Sequence, residues 1–232
     1  MMLIVFLLLC MTATLAFYCK QRAYRKSIYY ERTHHNLMTV MFNKGRYGEY
    51  LTSRIIEKHA LKSHQQLVNV YVPKRKSQDM TELDLLYIDR TGLYVIESKN
   101  YSGWIFGNEA HQQWTQTMPN KKKFKFYNPI RQNATHIRAV QDFLALPSEV
   151  IHSVIVFSER CELKKIEVTS HNVHVIKRKD LPHFIETRKQ SGKQYFTQAD
   201  IDAIYKKLLP QMHVSQEVKN RHIQTIQQKY GK

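Results

Sequence analysis

The residues best able to do chemistry lie between Thr81 and Asn100, in TELDLLYIDRTGLYVIESKN. Two short apolar segments, residues 83–88 and 93–98, flank the turn-forming Asp89-Arg90-Thr91-Gly92, which predicts a β-hairpin. Strand side chains alternate with period two, so Leu93, Val95, Glu97 and Lys99 share a face. Asp84 sits at the end of the partner strand opposite the turn, level with Glu97 and Lys99. Two carboxylates and an ammonium meeting there form a hard-cation site with a cationic group beside it. Phosphodiester hydrolysis needs an attacking water and relief of charge on the phosphoryl oxygens. Magnesium or manganese held by one or two carboxylates, keeping several waters, supplies both. A lysine two residues beyond a ligand can orient that water or stabilise developing negative charge. The same triplet also reads as a surface ion pair, which contributes little.

The flanking sequence must position this hairpin. Tyr47, Leu51, Ile55 and Lys58 at helical spacing predict a helix over residues 42–60. Glu49 is read in its first turn, just after Gly48, where a carboxylate suits the helix dipole. Residues 67–72 predict a strand closed by Pro73, and Lys74-Arg75-Lys76 a basic loop, either solvated or at a phosphate. Residues 103–107 and 113–115 predict a strand pair. In the following run, Lys123 and Lys125 alternate with Phe124 and Phe126. That pattern suits an edge strand guarded by lysines, or a phosphate-contacting strand whose aromatics stack on unpaired bases. Asn128 as N-cap and Pro129 at the first helical position start a helix, with Ile130, Ala134, Ile137, Val140, Gln141 and Leu144 on its buried side and Gln132 in its first turn. Residues 150–157 predict a strand buried on both faces, and residues 173–176 another. Thr197-x-x-Asp200 opens a helix carrying Ile201, Ile204, Tyr205 and Leu208. From Gln211 the chain is basic and glutamine-rich, with weak helical periodicity at Val214, Val218 and Ile226.

Residues 1–19 are apolar apart from two threonines, and Lys20 is the first charge. Such a run is long enough to cross a bilayer. No basic residue precedes it, and Phe17-Tyr18 follow Ala16, which disfavours a cleaved secretory signal. Leu7-Leu8-Leu9-Cys10 lacks the small residues of a lipoprotein site. The expectation is a retained single-pass anchor in the cell membrane. Lys20, Arg22, Arg25 and Lys26 place the rest in the cytoplasm. Tyr18, Tyr24, Tyr29 and Tyr30 fall near the interface, or the last two begin the soluble domain. The predicted organisation is an anchor over residues 1–19, a basic juxtamembrane linker over 20–41 and a hairpin-bearing domain over 42–157. A strand and helix extension over 158–210 and a basic tail over 211–232 follow.

A net charge of +17 draws polyanions, either nucleic acid or anionic lipid. Three cysteines, two of them in the apolar run, give no disulfide framework and no zinc spacing, which fits a reduced compartment. The sequence has no phosphate-binding glycine loop, so no nucleotide cofactor is expected. It has no H-E-x-x-H and no G-x-S-x-G, which argues against zinc and serine hydrolysis.

Asp84 followed by Glu97-Ser98-Lys99 across a hairpin resembles the D…(D/E)-x-K signature of restriction-endonuclease-like nucleases, with Leu83 where a proline often precedes the aspartate. The ordered set Gly45-Arg46-Tyr47-Gly48-Glu49, Glu82-Leu83-Asp84, Gly92 through Asn100, Gly103-Trp104-Ile105, Trp114 and Asn128-Pro129-Ile130-Arg131-Gln132 is similar to the nuclease-related domain (NERD) over residues 42–157. That resemblance implies an α/β fold: a mixed central β-sheet flanked by helices, restriction-endonuclease-like, here preceded by one transmembrane helix. It implies a catalytic set of Glu49, Asp84, Glu97, Lys99 and Gln132. Glu49 would reach a metal through water, and Gln132 would position water or phosphate. Mg2+ or Mn2+ would sit on Asp84 and Glu97, with the Ser98 carbonyl as a third ligand. Lys121, Lys122, Lys123, Lys125 and Arg131 are the expected nucleic-acid contacts. The expected activity is that of a membrane-anchored, metal-dependent nuclease cutting DNA on the cytoplasmic side. The alternative is a non-catalytic nucleic-acid-binding module tethered to the membrane. A membrane-surface scaffold that uses its basic residues on anionic lipid ranks behind both.

Overall fold

A computed structural model describes residues 1–60, 65–75, 79–191 and 193–230. Lys76 of the basic loop and the side chain of Ile226 lie outside the described residues. The chain begins with helices α1 (Met2–Arg25), α2 (Ile28–Thr33), α3 (Leu37–Phe42) and α4 (Lys44–His59). Strands β1 (Gln66–Pro73), β2 (Met80–Asp89), β3 (Gly92–Lys99), β4 (Gly103–Asn108), β5 (Gln113–Thr117) and β6 (Lys123–Tyr127) lead to helix α5 (Pro129–Leu144). Strands β7 (Ile151–Phe157), β8 (Cys161–Glu167) and β9 (Val173–Lys177) precede helices α6 (Leu181–Ser191), α7 (Gln198–Leu208) and α8 (Gln216–Tyr230).

The predicted hairpin is β2–β3, and the main sheet is built on it in the order β1-β2-β3-β7-β9. β1, β2 and β3 are antiparallel, while β3, β7 and β9 run parallel, so the sheet is mixed. Every residue of β7 is buried between its two neighbours, as its apolar run predicts. A second, four-stranded sheet in the order β6-β5-β4-β8 adds to the single sheet expected. Its outer strand β8 mixes Glu162, Lys164, Lys165 and Glu167 with apolar residues, and much of it is exposed, so it gives little periodic signal. β6 is an edge strand with Lys123, Phe124 and Lys125 in solvent, the arrangement that blocks edge-to-edge pairing.

α5 starts as its sequence predicts. The Asn128 side chain accepts from Ile130 N, and its amide donates to the Glu109 and His111 carbonyls. Its buried side differs from the expectation. Asn133 and His136 are buried with Ile130, Ala139, Val140 and Leu144, while Ala134 and Gln141 are half-buried. Two polar residues face the sheet because hydrogen bonds await them there.

α1 stands out from the fold. It is long enough and apolar enough to cross a membrane, with a mean hydropathy of 2.4 and none of its apolar window buried. Its last turn, however, enters the core. Tyr24 is 1% exposed, donates to the His35 carbonyl at 2.7 Å, and meets Tyr30 and Tyr50 edge-on. Ser27, Asn36 and Asn43 then cap α2, α3 and α4 in succession. Much of the segment over residues 24–42 is thus packed structure, with Tyr29 and Val40 fully buried. Of the four tyrosines read as interfacial, Tyr24 and Tyr29 are core residues and Tyr18 is exposed.

At the turn end of the hairpin, His152 stacks on Tyr94 at 4.9 Å, with Arg188 Nη2 3.1 Å from its Nε2. Burial first, then Arg188, hold its imidazole down at about 4. Between that value and the ordinary 6.5, the unfolded chain binds a proton that the folded chain refuses. The stability His152 contributes is therefore present above pH 6.5 and lost as pH falls toward 4, about 3 kcal/mol at full effect. Urea unfolding of wild type should weaken steeply across that window, and His152→Gln should flatten the slope. An equal slope in both proteins would refute the assignment.

Candidate active site

β2 and β3 pair from Asp89↔Gly92 to Leu85↔Ile96, where the ladder ends. Beyond that point the Ser98 N–H donates to Asp84 Oδ2 at 2.8 Å. A side chain takes the place of a strand partner, and the hairpin opens at the end away from its turn. α5 packs over the opening, with Asn133 Nδ2 donating to the Val95 carbonyl at 2.9 Å and to Ser153 Oγ at 2.8 Å. That lock fixes Gln132 and His136, which lie four residues apart on one side of the helix.

A chain of contacts results. Gln132 Oε1 accepts from Lys99 Nζ at 2.9 Å, and Lys99 Nζ lies 2.7 Å from Glu97 Oε1. His136 Nε2 stands 3.2 Å from Glu97 Oε2, and its Nδ1 pairs with Thr81 Oγ1 at 2.8 Å. Glu97 Oε2 is buried and faces His136 Nε2, with no other donor at hydrogen-bonding distance among the described residues.

The two carboxyl groups are driven apart in acid strength. Burial acts to raise Glu97, but Lys99 and then His136 outweigh it and hold the carboxyl at about 2. Asp84 is pushed well above the usual carboxylate range by burial first, then by Glu97 and Glu49, against the pull of Lys99 and the Ser98 N–H. Lys99 itself is held above the ordinary lysine value: burial opposes its charge, and the attraction of Glu97 prevails. Positive charge placed between Asp84 and Glu97 would offset the burial and the repulsion that push Asp84 up.

Glu49 lies in the second turn of α4, and Asn43 caps that helix instead, so the dipole role does not apply. Tyr29 OH donates to Glu49 Oε2 at 3.0 Å. Burial raises the Glu49 carboxyl to about 7, with Tyr29 opposing and Glu82 and Glu97 adding. α4 reaches the strand end because Gly48 has no side chain. A Cβ there would lie 2.8 Å from Asn100 Cβ and 3.3 Å from Ser98 Oγ. Gly48→Ala should therefore push α4 off β3, costing about 1–3 kcal/mol, or roughly 2–10 °C in Tm. It should also displace Glu49. An unchanged melting curve would show that the contact is slack.

The site opens into a cleft of about 530 Å³, lined by Asp84, Lys99, Gln132 and His136 and bounded by Lys74 and by His222 of α8. His222 is buried against β2, its Nδ1 3.1 Å from the Met80 carbonyl. The weakly patterned stretch after Gln211 thus supplies one wall. His136, Thr81 and His222 were not among the expected site residues. For His136, the available signal was its position one helical turn after Gln132. None of the expected nucleic-acid contacts lines this cleft: Lys121, Lys122, Lys123 and Lys125 stand exposed, the last two on β6, and Arg131 is exposed, with Nη2 bonded to the Ala110 carbonyl at 2.7 Å.

Among the described residues, no three His, Cys, Asp or Glu side chains converge as a preformed metal cage. The donors present suit an ion that keeps its waters. They are two carboxyl groups at the open end of the hairpin, Glu97 with a buried oxygen that His136 alone approaches and Asp84 with its charge opposed by burial and by Glu97.

The mixed α/β fold thus carries an acid–acid–lysine set at an opened hairpin. The nuclease-related domain family matches residues 44–158. An uncharacterized protein of Bacillus anthracis is similar to this chain, 33% identical over 189 residues, which is 82% of this chain and 86% of that one. No solved structure matches. The chain belongs to the nuclease-related domain family.

Proposed function

We propose that this chain is a membrane-anchored, metal-dependent nuclease that hydrolyses DNA on the cytoplasmic side. The observation that carries the reading is the Lys99–Glu97 contact at 2.7 Å, at the place where Asp84 bonds to the opened strand end. A site that only bound phosphate would not need two carboxylates there. Asp84 and Glu97, with the Ser98 carbonyl, would hold Mg2+ or Mn2+, and the bound ion supplies charge neutralisation at the phosphoryl group and a more acidic water. Lys99, held between Glu97 and Gln132, faces the cleft and stabilises charge that develops on the phosphoryl oxygens. His136, paired with Thr81, stands beside the Glu97 carboxylate and favours its charge. Glu49, with a carboxyl near 7, can take or release a proton close to neutral pH.

A tethered binding module is the second reading, favoured by one observation. Glu97 is already matched by Lys99 and approached by His136, with no cage of three ligands among the described residues. Labelled DNA and RNA, single- and double-stranded, separate the two when incubated with the full chain in detergent. Magnesium, manganese and chelator are compared side by side. The full chain is used because cutting away everything before residue 28 would remove the core side chain Tyr24. DNA cleavage that stops in chelator supports the nuclease. Binding without cleavage in every condition would replace it with the binding module, and cleavage of RNA alone would change the substrate.

A further inference from the structure

We infer that a groove leading from the cleft along α5 carries the phosphate backbone of the bound nucleic-acid strand, with Lys74, Arg75 and Arg138 as its contacts. The inference rests on the nuclease reading above. The active-site cleft shares Lys74 and Thr135 with a neighbouring groove of about 600 Å³ that is also lined by Arg75, Arg138 and Asp142, so one channel runs on from the other. Gln132, Thr135, Arg138 and Asp142 are spaced by three, three and four residues and form one stripe on α5. The stripe is about 15 Å long, roughly four phosphates at an axial spacing of ~3.4 Å. It begins at the residue that holds Lys99 and ends in solvent.

The opposite wall is the start of the β1–β2 loop, where the Lys74 N–H bonds the Asp79 carbonyl at 3.0 Å. Arg138 is exposed and commits Nη2 to Thr135 Oγ1 at 3.1 Å, which aims the guanidinium along the stripe. Arg75 Nη1 lies 3.5 Å from Asp142 Oδ1, with 76% of the arginine side chain exposed, a weak surface pair that a phosphate displaces. Ala139 and Leu146 supply the apolar part of the groove. In the groove itself three cations face one carboxylate, and it leads into the cleft, where Lys99 stands with Glu82 and Asp84 at the proposed cutting site. The β6 lysines line neither part of it. Contacts of this kind position a strand and read no sequence.

The test compares two double substitutions with the same change in charge, Lys74→Glu/Arg138→Glu in the groove and Lys123→Glu/Lys125→Glu on β6. Each is made in the full chain in detergent. Binding of a fluorescent single-stranded DNA oligonucleotide is measured in chelator between about 50 and 200 mM salt. The groove variant should bind at least about tenfold more weakly, with a salt slope shallower by about 1.4 at ~0.7 per phosphate contact. The β6 variant should stay within about threefold of wild type. Wild-type binding by the groove variant, or equal losses in both, would overturn the groove while leaving a wild type that binds and cuts intact. A wild type that binds no oligonucleotide would overturn the groove and the nuclease reading together.

Discussion

Asp84→Asn is expected to abolish DNA cleavage, lowering the rate at least about 10³-fold, or about 4 kcal/mol of transition-state stabilisation, while the protein stays folded and bound to DNA. The reason is in the local geometry. The amide that replaces the carboxyl would keep an oxygen for the Ser98 N–H, so the opened strand end keeps its bond. The substitution would remove a carboxyl that burial, Glu97 and Glu49 all act to keep protonated, so stability should hold or rise. Glu97→Gln should lose cleavage to the same degree and behave differently in unfolding. It strips the partner from Lys99, whose side chain is only 16% exposed. Removing one half of such a pair leaves an uncompensated charge, which costs about 3–5 kcal/mol. Cleavage assays beside urea melts check both parts. Normal cutting by Asp84→Asn would end the metal-site account, and equal destabilisation by both variants would show that the carboxylates do not differ as described.

Lys99→Met carries the second large effect. It leaves Glu97, 2% exposed, facing His136 alone. Cleavage should fall about 10²–10³-fold through loss of the charge aimed at the phosphoryl oxygens. Lys99→Arg should rescue little, because a planar guanidinium does not replace a compact ammonium between Glu97 and Gln132. The decisive comparison is the double variant Glu97→Gln/Lys99→Met. Each single change leaves a buried partner unmatched, whereas the double change leaves none, so it should be more stable than the sum of the singles implies, by about 1–3 kcal/mol. Additive unfolding energies would mean that the 2.7 Å contact is incidental.

The hairpin, β7 and the start of α5 were legible because each is announced locally. Asp89 to Gly92 marks a turn, an unbroken apolar run marks a strand between two neighbours, and Asn128-Pro129 marks a helix cap. The Asp84–Glu97–Lys99 set was legible for a related reason: strand alternation fixes which side chains share a face. The remainder depends on long-range contacts. Glu49 reads either as a helix-dipole partner or, by resemblance, as an acid reaching a metal, and the helix start at Lys44 removes the first by placing it a turn further in, under the Tyr29 hydroxyl. His136 and Asn133 stand at positions that a hydrophobic pattern would give to apolar residues, and their partners, Thr81, Val95 and Ser153, come from three strands. Tyr24 stands among Lys20, Arg22 and Arg25 in a stretch that reads as a basic linker, yet its ring is held by Tyr30 and Tyr50. α2 and α3 are six residues each, too short for periodicity to mark. α8 shows its place through His222 and Thr225, brought beside the site from the far end of the chain.

The central claim is that phosphodiester cleavage depends on a divalent ion at Asp84 and Glu97. Its most direct test is a time course on labelled DNA with the full chain in detergent, wild type beside Asp84→Asn, each in magnesium and in chelator. The account predicts cutting in one of the four reactions, wild type with magnesium, and equal DNA binding in all four. Cutting by wild type in chelator, or by Asp84→Asn in magnesium, would contradict it.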